Sequence, residues 1–363
     1  MKTLFVGDIC PTPCSAPYYT AGDTAALFGD TVDIFRDRDF IFANLECAIT
    51  ESDGKIAKFG PNLKAPIETA KVLKELGVTV AGISNNHVFD FGKKGALDTI
   101  DALTSVGIDY TGFGKSYDDS RKNYTFEKDG ERICVIAVCE HEYSYALEDR
   151  MGSRPFDEFE TMDDIRAAKA THERVIVAYH GGKEHCPYPS PRLVRACRAM
   201  VRNGADLVLC QHSHCIGAYE NYEGGHILYG QGNFQFVSLV KNETWKTGLA
   251  VCYDTKANTV EFIPIRENDA ETGIRLAVGE EKENILRGLA KRSETLKTGE
   301  WKKGWHEFCL SVEKEYSKKI KRACLDDSTD SENALFAHYL DCEAHTDIWR
   351  ELFPTYNLTN EKD

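Results

Sequence analysis

Long apolar segments are missing from this sequence of 363 residues. No apolar run reaches the roughly 18 residues that a membrane-spanning helix requires, so the sequence predicts no membrane span. The N-terminal apolar stretch, Leu4-Phe5-Val6, runs directly into Gly7-Asp8 and is much shorter than the apolar region of a secretory signal peptide. We therefore expect a cytoplasmic protein.

Proline and positive charge are also scarce. With only 11 Pro and with 42% hydrophobic residues, the composition excludes collagen-like and disordered chains and is typical of a folded globular protein. The 44 basic residues are outnumbered by 58 acidic residues, and the net charge of −14 disfavours binding to a nucleic-acid backbone. We expect no nucleic-acid partner.

The cysteines lack the spacing of a disulfide or zinc framework. There are 13 of them, an odd number, and none forms a Cys-x-x-Cys pair. Several lie within apolar runs, where a free cysteine packs as a small apolar side chain. This pattern predicts reduced thiols, which are the rule in reducing compartments.

Short apolar runs that end in polar residues recur through the first two-thirds of the chain. Runs that are apolar at every position are typical of strands buried on both faces of an α/β fold. The polar residues at the ends of five of these runs are Asp8, Glu46, Asn86 with His87, His180, and His212 with His214.

Segments whose apolar residues follow helical spacing lie between several of these runs, and two hairpins are predicted. Apolar residues at helical spacing precede Gly77, Gly107 and Gly204, each of which is a suitable helix end. Lys128-Asp129-Gly130 and Glu223-Gly224-Gly225 are typical of hairpin turns. Together these patterns predict a layered α/β fold.

The character of the sequence changes after residue 265. We expect residues 1–265 to form one domain and residues 266–363 to form a mainly helical extension packed on it. Trp305, Val312 and Tyr316 follow helical spacing within this extension. We identify no chemical motif there.

Polar groups at the ends of the predicted strands are expected to meet. The active site of an open α/β sheet lies beyond the carboxyl ends of its strands. Carboxylate and imidazole groups gathered there suit a hydrolase that uses two divalent ions. His212 and His214 are two residues apart, so in extended chain they are expected to point the same way, toward adjacent ions. Considered alone, Asp8 has an alternative role as a turn or helix cap, and His180 has an alternative role as a hydrogen-bonded core histidine.

Six motifs occur in a fixed order along the chain. They are Gly7-Asp8, Asn44-Leu45-Glu46, Ser84-Asn85-Asn86-His87 with Asp90 and Gly92, His180-Gly181-Gly182-Lys183-Glu184, His212-Ser213-His214, and Tyr229-Gly230-Gln231-Gly232-Asn233-Phe234. This order resembles the bacterial capsule-synthesis proteins of the CapA, or poly-gamma-glutamate synthesis, type, which look like a divergent branch of the calcineurin-like metallophosphoesterases. The resemblance covers residues 1–265. It implies a four-layer α/β/β/α metallophosphoesterase-like sandwich, with a metal site on the loops at one sheet edge.

The resemblance also implies a centre of two divalent metal ions, either zinc, manganese or iron. The same mixed oxygen and nitrogen ligands suit all three metals. The implied ligands are Asp8 and His214 for the first ion, Asn86, His180 and His212 for the second, and Glu46 at or near the bridging position.

A catalytic pair is implied beside these ligands. His87 would stay off the metals and protonate the leaving group, and Asp90 would orient its ring. Asn44 and Glu184 are the expected substrate contacts.

The sequence departs from the general metallophosphoesterase pattern near the first ion. The Asp-x-His of the first motif is Asp8-Ile9-Cys10 here, and the aspartate of the second motif is replaced by the pair Asn44 and Glu46. Cys10 is either a thiolate ligand, which would favour zinc, or a core residue. Ser213 stands where the capsule branch often has proline. From the departures at Cys10 and at Asn44 with Glu46, we expect the first ion to be the more weakly bound.

Three further residues have open roles. His141 follows another predicted strand and either reaches the site or is an ordinary histidine. Lys58 and Lys64 flank Gly60-Pro61-Asn62, in a loop that either holds an anionic substrate or faces solvent.

Two functions remain open at this point, beside the alternative of a purely structural domain with a degenerate site. The first is a metal-dependent hydrolase of a phosphoester or related bond, acting on a small molecule or an acidic polymer. The second is a non-catalytic accessory protein of poly-gamma-glutamate synthesis or export that binds an acidic polymer. The first function requires a bound divalent metal, and the second predicts no turnover.

Overall fold

Two large sheets carry the fold in the computed structural model, which describes residues 1–237 and 242–354. The strands, in chain order, are β1 (Lys2–Ile9), β2 (Phe40–Leu45), β3 (Ala48–Ile49), β4 (Lys64–Ala65), β5 (Val80–Gly82), β6 (Asp109–Thr111), β7 (Phe113–Gly114), β8 (Tyr124–Lys128), β9 (Glu131–Cys139), β10 (Gly152–Ser153), β11 (Arg174–His180), β12 (Leu207–Gln211), β13 (Tyr219–Tyr222), β14 (Gly225–Leu228), β15 (Asn233–Gln235), β16 (Thr247–Asp254), β17 (Thr259–Glu267) and β18 (Ile274–Leu276). The α-helices are α1 (Ala16–Ala21), α2 (Thr24–Phe28), α3 (Thr69–Glu75), α4 (Gly92–Ser105), α5 (Tyr117–Ser120), α6 (Glu158–Lys169), α7 (Pro191–Arg202), α8 (Gly279–Thr298), α9 (Trp301–Ala323), α10 (Asp330–Asp341) and α11 (Glu343–Leu352). A 3₁₀ helix spans Gly29–Phe35. Both predicted hairpins are confirmed, as β8–β9 and β13–β14.

Parallel strands form the centre of each sheet. The larger sheet has the strand order β18-β17-β16-β1-β2-β5-β6, with β15 also paired to β1, and its strands β1, β2, β5 and β6 are parallel. The smaller sheet has the order β13-β14-β12-β11-β9-β8, and β9, β11, β12 and β14 are parallel. The carboxyl ends of these parallel strands therefore gather at one edge of each sheet.

The central strands are buried on both faces, as the continuous apolar runs predict. In β1, Leu4 and Val6 pack with the helices outside the larger sheet, whereas Phe5 packs between the two sheets. In β9, Ile136 packs with outer helices and Val135 packs between the sheets. This alternation follows from the two-residue period of a strand.

The layers follow the order α/β/β/α, which confirms the predicted sandwich. Helices α1 to α4 cover the outer face of the larger sheet, where Leu73 and Leu103 join the core. Helices α6 and α7 cover the outer face of the smaller sheet through Ile165, Leu193 and Met200. A third apolar cluster fills the space between the sheets.

A helical C-terminal segment packs on this sandwich, as predicted. Helices α9, α10 and α11 share an apolar cluster that includes Trp305, Tyr316 and Ile348. Strand β18 follows residue 265 in the chain but pairs with β17 in the larger sheet. The division at residue 265 stays a prediction, and residues 355–363 of the extension lie outside the described residues.

Buried charges fix the extension to the sandwich. The Arg192 guanidinium donates from Nε to Asp347 Oδ2 at 2.9 Å and from Nη2 to Glu140 Oε1 at 2.5 Å. The second Glu140 oxygen accepts from the backbone N–H of Ala344 at 3.1 Å, and Ser190 Oγ donates to Asp347. Breaking one partner of such a buried set leaves an uncompensated charge, so these contacts hold α11 in one place.

The longest helices carry charge along their length. Helix α8 has 20 residues and α9 has 23, and both include repeated lysines and glutamates. Among residues 1–237 and 242–354, no helix combines the length and the apolar character needed to cross a bilayer.

Candidate functional site

The predicted ligands lie together where the carboxyl ends of the two sheets meet. The larger sheet supplies its ligands from β1, from the residue after β2 and from the loop after β5, and the smaller sheet supplies them from β11 and the loop after β12. Each of the six side chains is at most 6% exposed. They are Asp8, Glu46, Asn86, His180, His212 and His214.

These residues form two ligand groups that share one carboxylate. Glu46, His180 and His212 make one group, Asp8, Glu46 and His214 make the other, and the ligand atoms of each lie within 4.8 Å of one another. Glu46 Oε1 lies 3.3 Å from His180 Nε2 and 4.0 Å from both His212 Nδ1 and His214 Nε2. This arrangement agrees with the implied bridging position of Glu46, and the assignment of individual ions stays a prediction.

Unsatisfied buried atoms show that the residues fit a metal centre. Neither Glu46 oxygen, nor His212 Nδ1, has a hydrogen-bond partner among the described residues. A buried carboxylate without donors is costly, and the cost is removed by a coordinated cation. Oxygen and imidazole ligands of this kind suit zinc, manganese and iron alike.

Burial shifts the proton equilibria of the ligands. It raises the pKa of Asp8 and of Glu46 to about 7, and it lowers the pKa of His180 and of His214 to about 3. Burial also opposes protonation of His212, but the Glu142 carboxylate outweighs it and raises the pKa of His212 to about 10. We therefore expect any metal ion that binds at Asp8, Glu46 and His212 to displace protons, as ligand deprotonation requires.

Two asparagines orient the ligands. Asn44 Nδ2 donates to Asp8 Oδ1 at 2.7 Å and lies 3.3 Å from His180 Nδ1. His214 Nδ1 donates to Asn233 Oδ1 at 2.8 Å, which leaves Nε2 on the side of Glu46. Contacts of this kind fix ring orientation and ligand geometry. Asn44 is 1% exposed and therefore lies behind the ligands, while its expected substrate contact stays a prediction.

The extended-chain expectation for His212 and His214 is wrong. Strand β12 ends at Gln211, and the two histidines have φ values of +79° and +51°. Their rings lie 6.0 Å apart and belong to different ligand groups. A positive φ costs a non-glycine residue about 1–3 kcal/mol and is concentrated at functional sites. The tight loop, rather than strand alternation, therefore aims the two rings.

Glu142 is a site residue that the sequence analysis missed. Its Oε1 lies 3.3 Å from His212 Nε2, and its Oε2 accepts from Asn86 Nδ2 at 3.0 Å. The Cys342 thiol donates to Oε1 at 3.4 Å. Glu142 thus contacts two implied ligands of the second ion. His212 Nδ1 is left without a hydrogen-bond partner among the described residues, and Asn86 Oδ1 lies 3.0 Å from His180 Nε2. It lies in an irregular loop after β9, where no periodic pattern marks it.

We expect the Glu142→Gln variant to bind the second ion about 10- to 100-fold more weakly, the usual effect of removing a carboxylate behind a metal-binding histidine. The amide keeps one acceptor but cannot accept from both Asn86 and His212. Competition with a chromogenic chelator would measure the affinity for zinc or manganese. The matched control is Glu148→Gln, an exposed glutamate of the same loop. Equal affinities in wild type and Glu142→Gln would contradict this role.

The implied catalytic pair is in contact. His87 Nδ1 lies 2.7 Å from Asp90 Oδ2, which leaves Nε2 as the other ring nitrogen for a substrate. Lys58 Nζ pairs with Asp90 Oδ1 and lies 3.1 Å from His87 Nδ1. The Lys58 side chain is 2% exposed, so the solvent-facing alternative is wrong for this lysine. Lys64 instead pairs with Asp53 at the surface.

Cys10 and His141 do not join the ligand groups of the described residues. Cys10 is fully buried in the core on the outer side of the larger sheet, as its core alternative predicts. His141 Nδ1 lies 2.7 Å from Glu343 Oε1, so His141 contacts α11 rather than the ligands.

A third group of possible ligands is engaged in hydrogen bonds. Glu142, Cys342 and His345 lie close enough to hold an ion. However, His345 Nδ1 is 2.5 Å from the Tyr316 hydroxyl, and burial raises the pKa of the Cys342 thiol well above its usual value. We interpret this group as the contact between the extension and Glu142.

A cavity of about 260 Å³ lies beside the ligands, and the extension forms its roof. We call it the roofed cavity. Asn86, His87 and His212 form its floor, and Glu184 lies on its wall, where the predicted substrate contact requires it. The extension, in which the sequence analysis identifies no chemical motif, thus contributes residues to the lining of this cavity. The roof residues are Glu315, Lys319, His338, Tyr339, Ala344 and His345.

Comparison with known proteins gives one family and several relatives. The family described as "Bacterial capsule synthesis protein PGA_cap" matches residues 2–238. A capsule biosynthesis protein CapA of Bacillus anthracis is 28% identical over 77% of this chain and 70% of its own length. A PGA biosynthesis protein CapA of Bacillus subtilis is 28% identical over 81% and 78%. A probable polyglutamine synthesis accessory protein of Mycobacterium tuberculosis is 27% identical over 63% and 66%.

Among solved structures, a hypothetical protein from Thermus thermophilus aligns with 76% of this chain and 99% of its own. The TM-score is 0.47 at 14% sequence identity.

Proposed function

This chain belongs to the bacterial capsule synthesis protein family PGA_cap, and we propose that it is a metal-dependent hydrolase of a phosphoester or related bond. One observation carries the proposal: the two ligand groups share Glu46, whose buried oxygens have no hydrogen-bond partner in the described part of the chain. Such a carboxylate is stabilised by a cation between its neighbours. The proposal is for two divalent ions of zinc, manganese or iron.

The ligand residues and the chemistry of the ions define the reaction class. When bound, two divalent ions favour ionisation of water and stabilise the negative charge that develops on the substrate. The residues proposed to hold them are Asp8, Glu46, Asn86, His180, His212 and His214.

His87 is proposed as the general acid. Its Nδ1 faces Asp90, so the ring orientation is fixed and Nε2 holds the proton for the leaving group. Hydrolysis then adds the oxygen of one water to the phosphorus or carbonyl carbon, and the proton from Nε2 goes to the leaving atom. One proton of that water stays with the added oxygen, and the other restores the proton on His87 Nε2.

The names of the relatives support a polymer as the substrate. The Bacillus subtilis relative is described as a PGA biosynthesis protein, and the mycobacterial one as a probable accessory protein of polyglutamine synthesis. We propose that this chain likewise acts on an acidic polymer or on a small molecule related to it. Glu184 on the cavity wall is the proposed substrate contact.

The alternative is a non-catalytic accessory protein that binds an acidic polymer during its synthesis or export. It is favoured by the description of the mycobacterial relative as an accessory protein. The same ligands would then hold an ion that bridges to the polymer without turnover.

We also propose a cytoplasmic location. All 13 cysteines lie in the described part of the chain, and all are free thiols. Free thiols in this number are typical of a reducing compartment.

The function is tested with metal-reconstituted protein and two substrates, bis-p-nitrophenyl phosphate and poly-gamma-glutamate. We expect turnover of at least one of them, lost on dialysis against a chelator and restored by zinc, manganese or iron. Polymer binding without turnover would favour the accessory alternative. A wild-type protein that binds no divalent metal at micromolar concentration would contradict both the hydrolase and its site.

A further inference from the structure

We propose that the roofed cavity binds a compact carboxylate end group of the substrate, through the ammonium group of Lys183. The rest of the substrate then lies in a second, open groove on the other side of the ligands. The inference rests on the proposed function for the site between them. It makes the protein specific for the end of an acidic chain rather than for its interior.

Lys183 is the cavity lysine that has no ion pair or hydrogen bond in the described part of the chain, although its charge contributes to lowering the pKa of the neighbouring Glu184. Lys58 pairs with Asp90, and Lys319 pairs with Glu315. In the described part of the chain, the Lys183 side chain has no ion pair and no hydrogen bond. It follows Gly181-Gly182 at the end of β11, so it stands next to the ligand edge.

One unpaired lysine in a cavity that is also lined by Glu142, Glu184 and Glu315 favours a carboxylate over the more highly charged phosphate. A carboxylate carries one negative charge, whereas a phosphate monoester carries about −1.5 to −2. The roof histidines add no further cation, because burial lowers the pKa of both His338 and His345, and His212 on the floor is engaged with the Glu142 carboxylate at 3.3 Å. Lys183 contributes to that lowering, which places its charge near both rings. They remain neutral hydrogen-bonding groups around the lysine.

The roof closes the cavity at one end. Lys319 of α9 lies over the Phe59 ring at 5.0 Å and donates to the Tyr339 hydroxyl at 2.9 Å, so the extension meets the loop at Phe59 across the cavity. The buried contacts of Glu140 and Asp347 hold these helices in place. The volume of about 260 Å³ is below the roughly 300–1,000 Å³ of drug-sized ligand pockets. A partly enclosed space of this size suits one terminal unit better than a continuous chain.

The second groove is larger, more open and aromatic. It has a volume of about 450 Å³ and lies on the side of His214, with Phe236 and Trp245 on its wall. The Trp245 ring lies 4.3 Å from the His214 ring. His87 and Glu184 line both this groove and the roofed cavity. A substrate that extends from one to the other therefore passes His87, one unit from its end.

The test measures binding to metal-loaded, full-length protein by calorimetry. The probes are a trimer of glutamate linked through its γ-carboxylates and the same trimer with both carboxylates of its last residue amidated. Loss of a hydrogen bond to a charged group changes affinity by about tenfold or more. We therefore expect wild type to bind the free trimer at least tenfold more tightly than the amidated one.

The Lys183→Met variant is expected to lose this preference, with weaker binding of the free trimer and unchanged binding of the amidated one. Unchanged binding of the amidated trimer also shows that the variant is folded. Lys282→Met is the matched control, because Lys282 is an exposed lysine outside both cavities.

Two results would overturn the inference: wild type that binds neither trimer or binds both equally, or Lys183→Met that keeps the wild-type preference. Assay of the same mixtures for products separates this inference from the proposed function. A Lys183-dependent preference without product formation supports the carboxylate site and contradicts the hydrolase. Product formation that is equal in wild type and in Lys183→Met supports the hydrolase and contradicts the carboxylate site.

Discussion

Replacing Glu46 with glutamine is expected to abolish binding of both metal ions. Glu46 is the residue shared by the two ligand groups, and it is completely buried. Glutamine keeps the size of the side chain but removes the negative charge and one acceptor oxygen. Since neither Glu46 oxygen has a hydrogen-bond partner in the described part of the chain, the effect falls on the ions rather than on a hydrogen bond.

Elemental mass spectrometry of reconstituted protein measures this result directly. We expect close to two equivalents of zinc, manganese or iron in wild type and close to none in Glu46→Gln. Glu51→Gln is the matched control, because Glu51 is an exposed glutamate five residues further along the same segment. Wild-type metal content in the Glu46→Gln variant would show that Glu46 is not a ligand of the proposed centre. Loss of a single equivalent would leave Glu46 as the ligand of one ion only.

The second large effect is expected at His87, where alanine should reduce kcat about 10²- to 10⁴-fold, the usual contribution of a general acid. Metal content should not change, because His87 belongs to neither ligand group. Removing Nε2 takes away the proton for the leaving group, while Asp90 and Lys58 keep each other paired. The measurement combines steady-state kinetics with metal analysis of the same sample.

Two further variants make the His87 result specific. His306→Ala, at an exposed histidine of α9, is expected to retain wild-type kcat. Asp90→Asn should lower kcat less than His87→Ala does, because it disturbs the orientation of the ring but leaves the acid in place. Turnover by His87→Ala at the wild-type rate would exclude this residue as the acid. The accessory alternative expects no turnover in any of these proteins and the same polymer binding in all of them.

The strands of the sheets could be predicted because the pattern that marks them, a run of apolar residues, lies in consecutive positions of the sequence. Leu4, Phe5 and Val6 are all apolar, and this is what a strand covered on both faces requires. The helix that ends before Gly107 and the hairpin at Asp129 likewise follow local spacing and turn chemistry. Strand order and the pairing of β18 with β17 depend on distant segments and are not marked locally.

The site could be predicted only in part. Residues that end a buried strand, such as Asp8 and His180, are marked by the change from apolar to polar, and the structure places them together. Glu142 has no such mark, because it lies in an irregular loop and its partners are 56 and 70 residues away in the chain. The conformation of the loop at His212 was mispredicted because strand alternation does not extend past Gln211.

The sequence by itself determined the layered α/β fold, the edge at which the ligands meet and the membership in the capsule synthesis family. Only the tertiary structure decided that the C-terminal helices roof the site, with Cys342 against Glu142 and Lys319 over Phe59. The physical reason is the range of the interactions. The spacing of apolar residues, the helix ends and the turns are all encoded by residues that are close in sequence. Glu142 and Cys342, in contrast, are 200 residues apart and meet only when the extension packs on the sandwich.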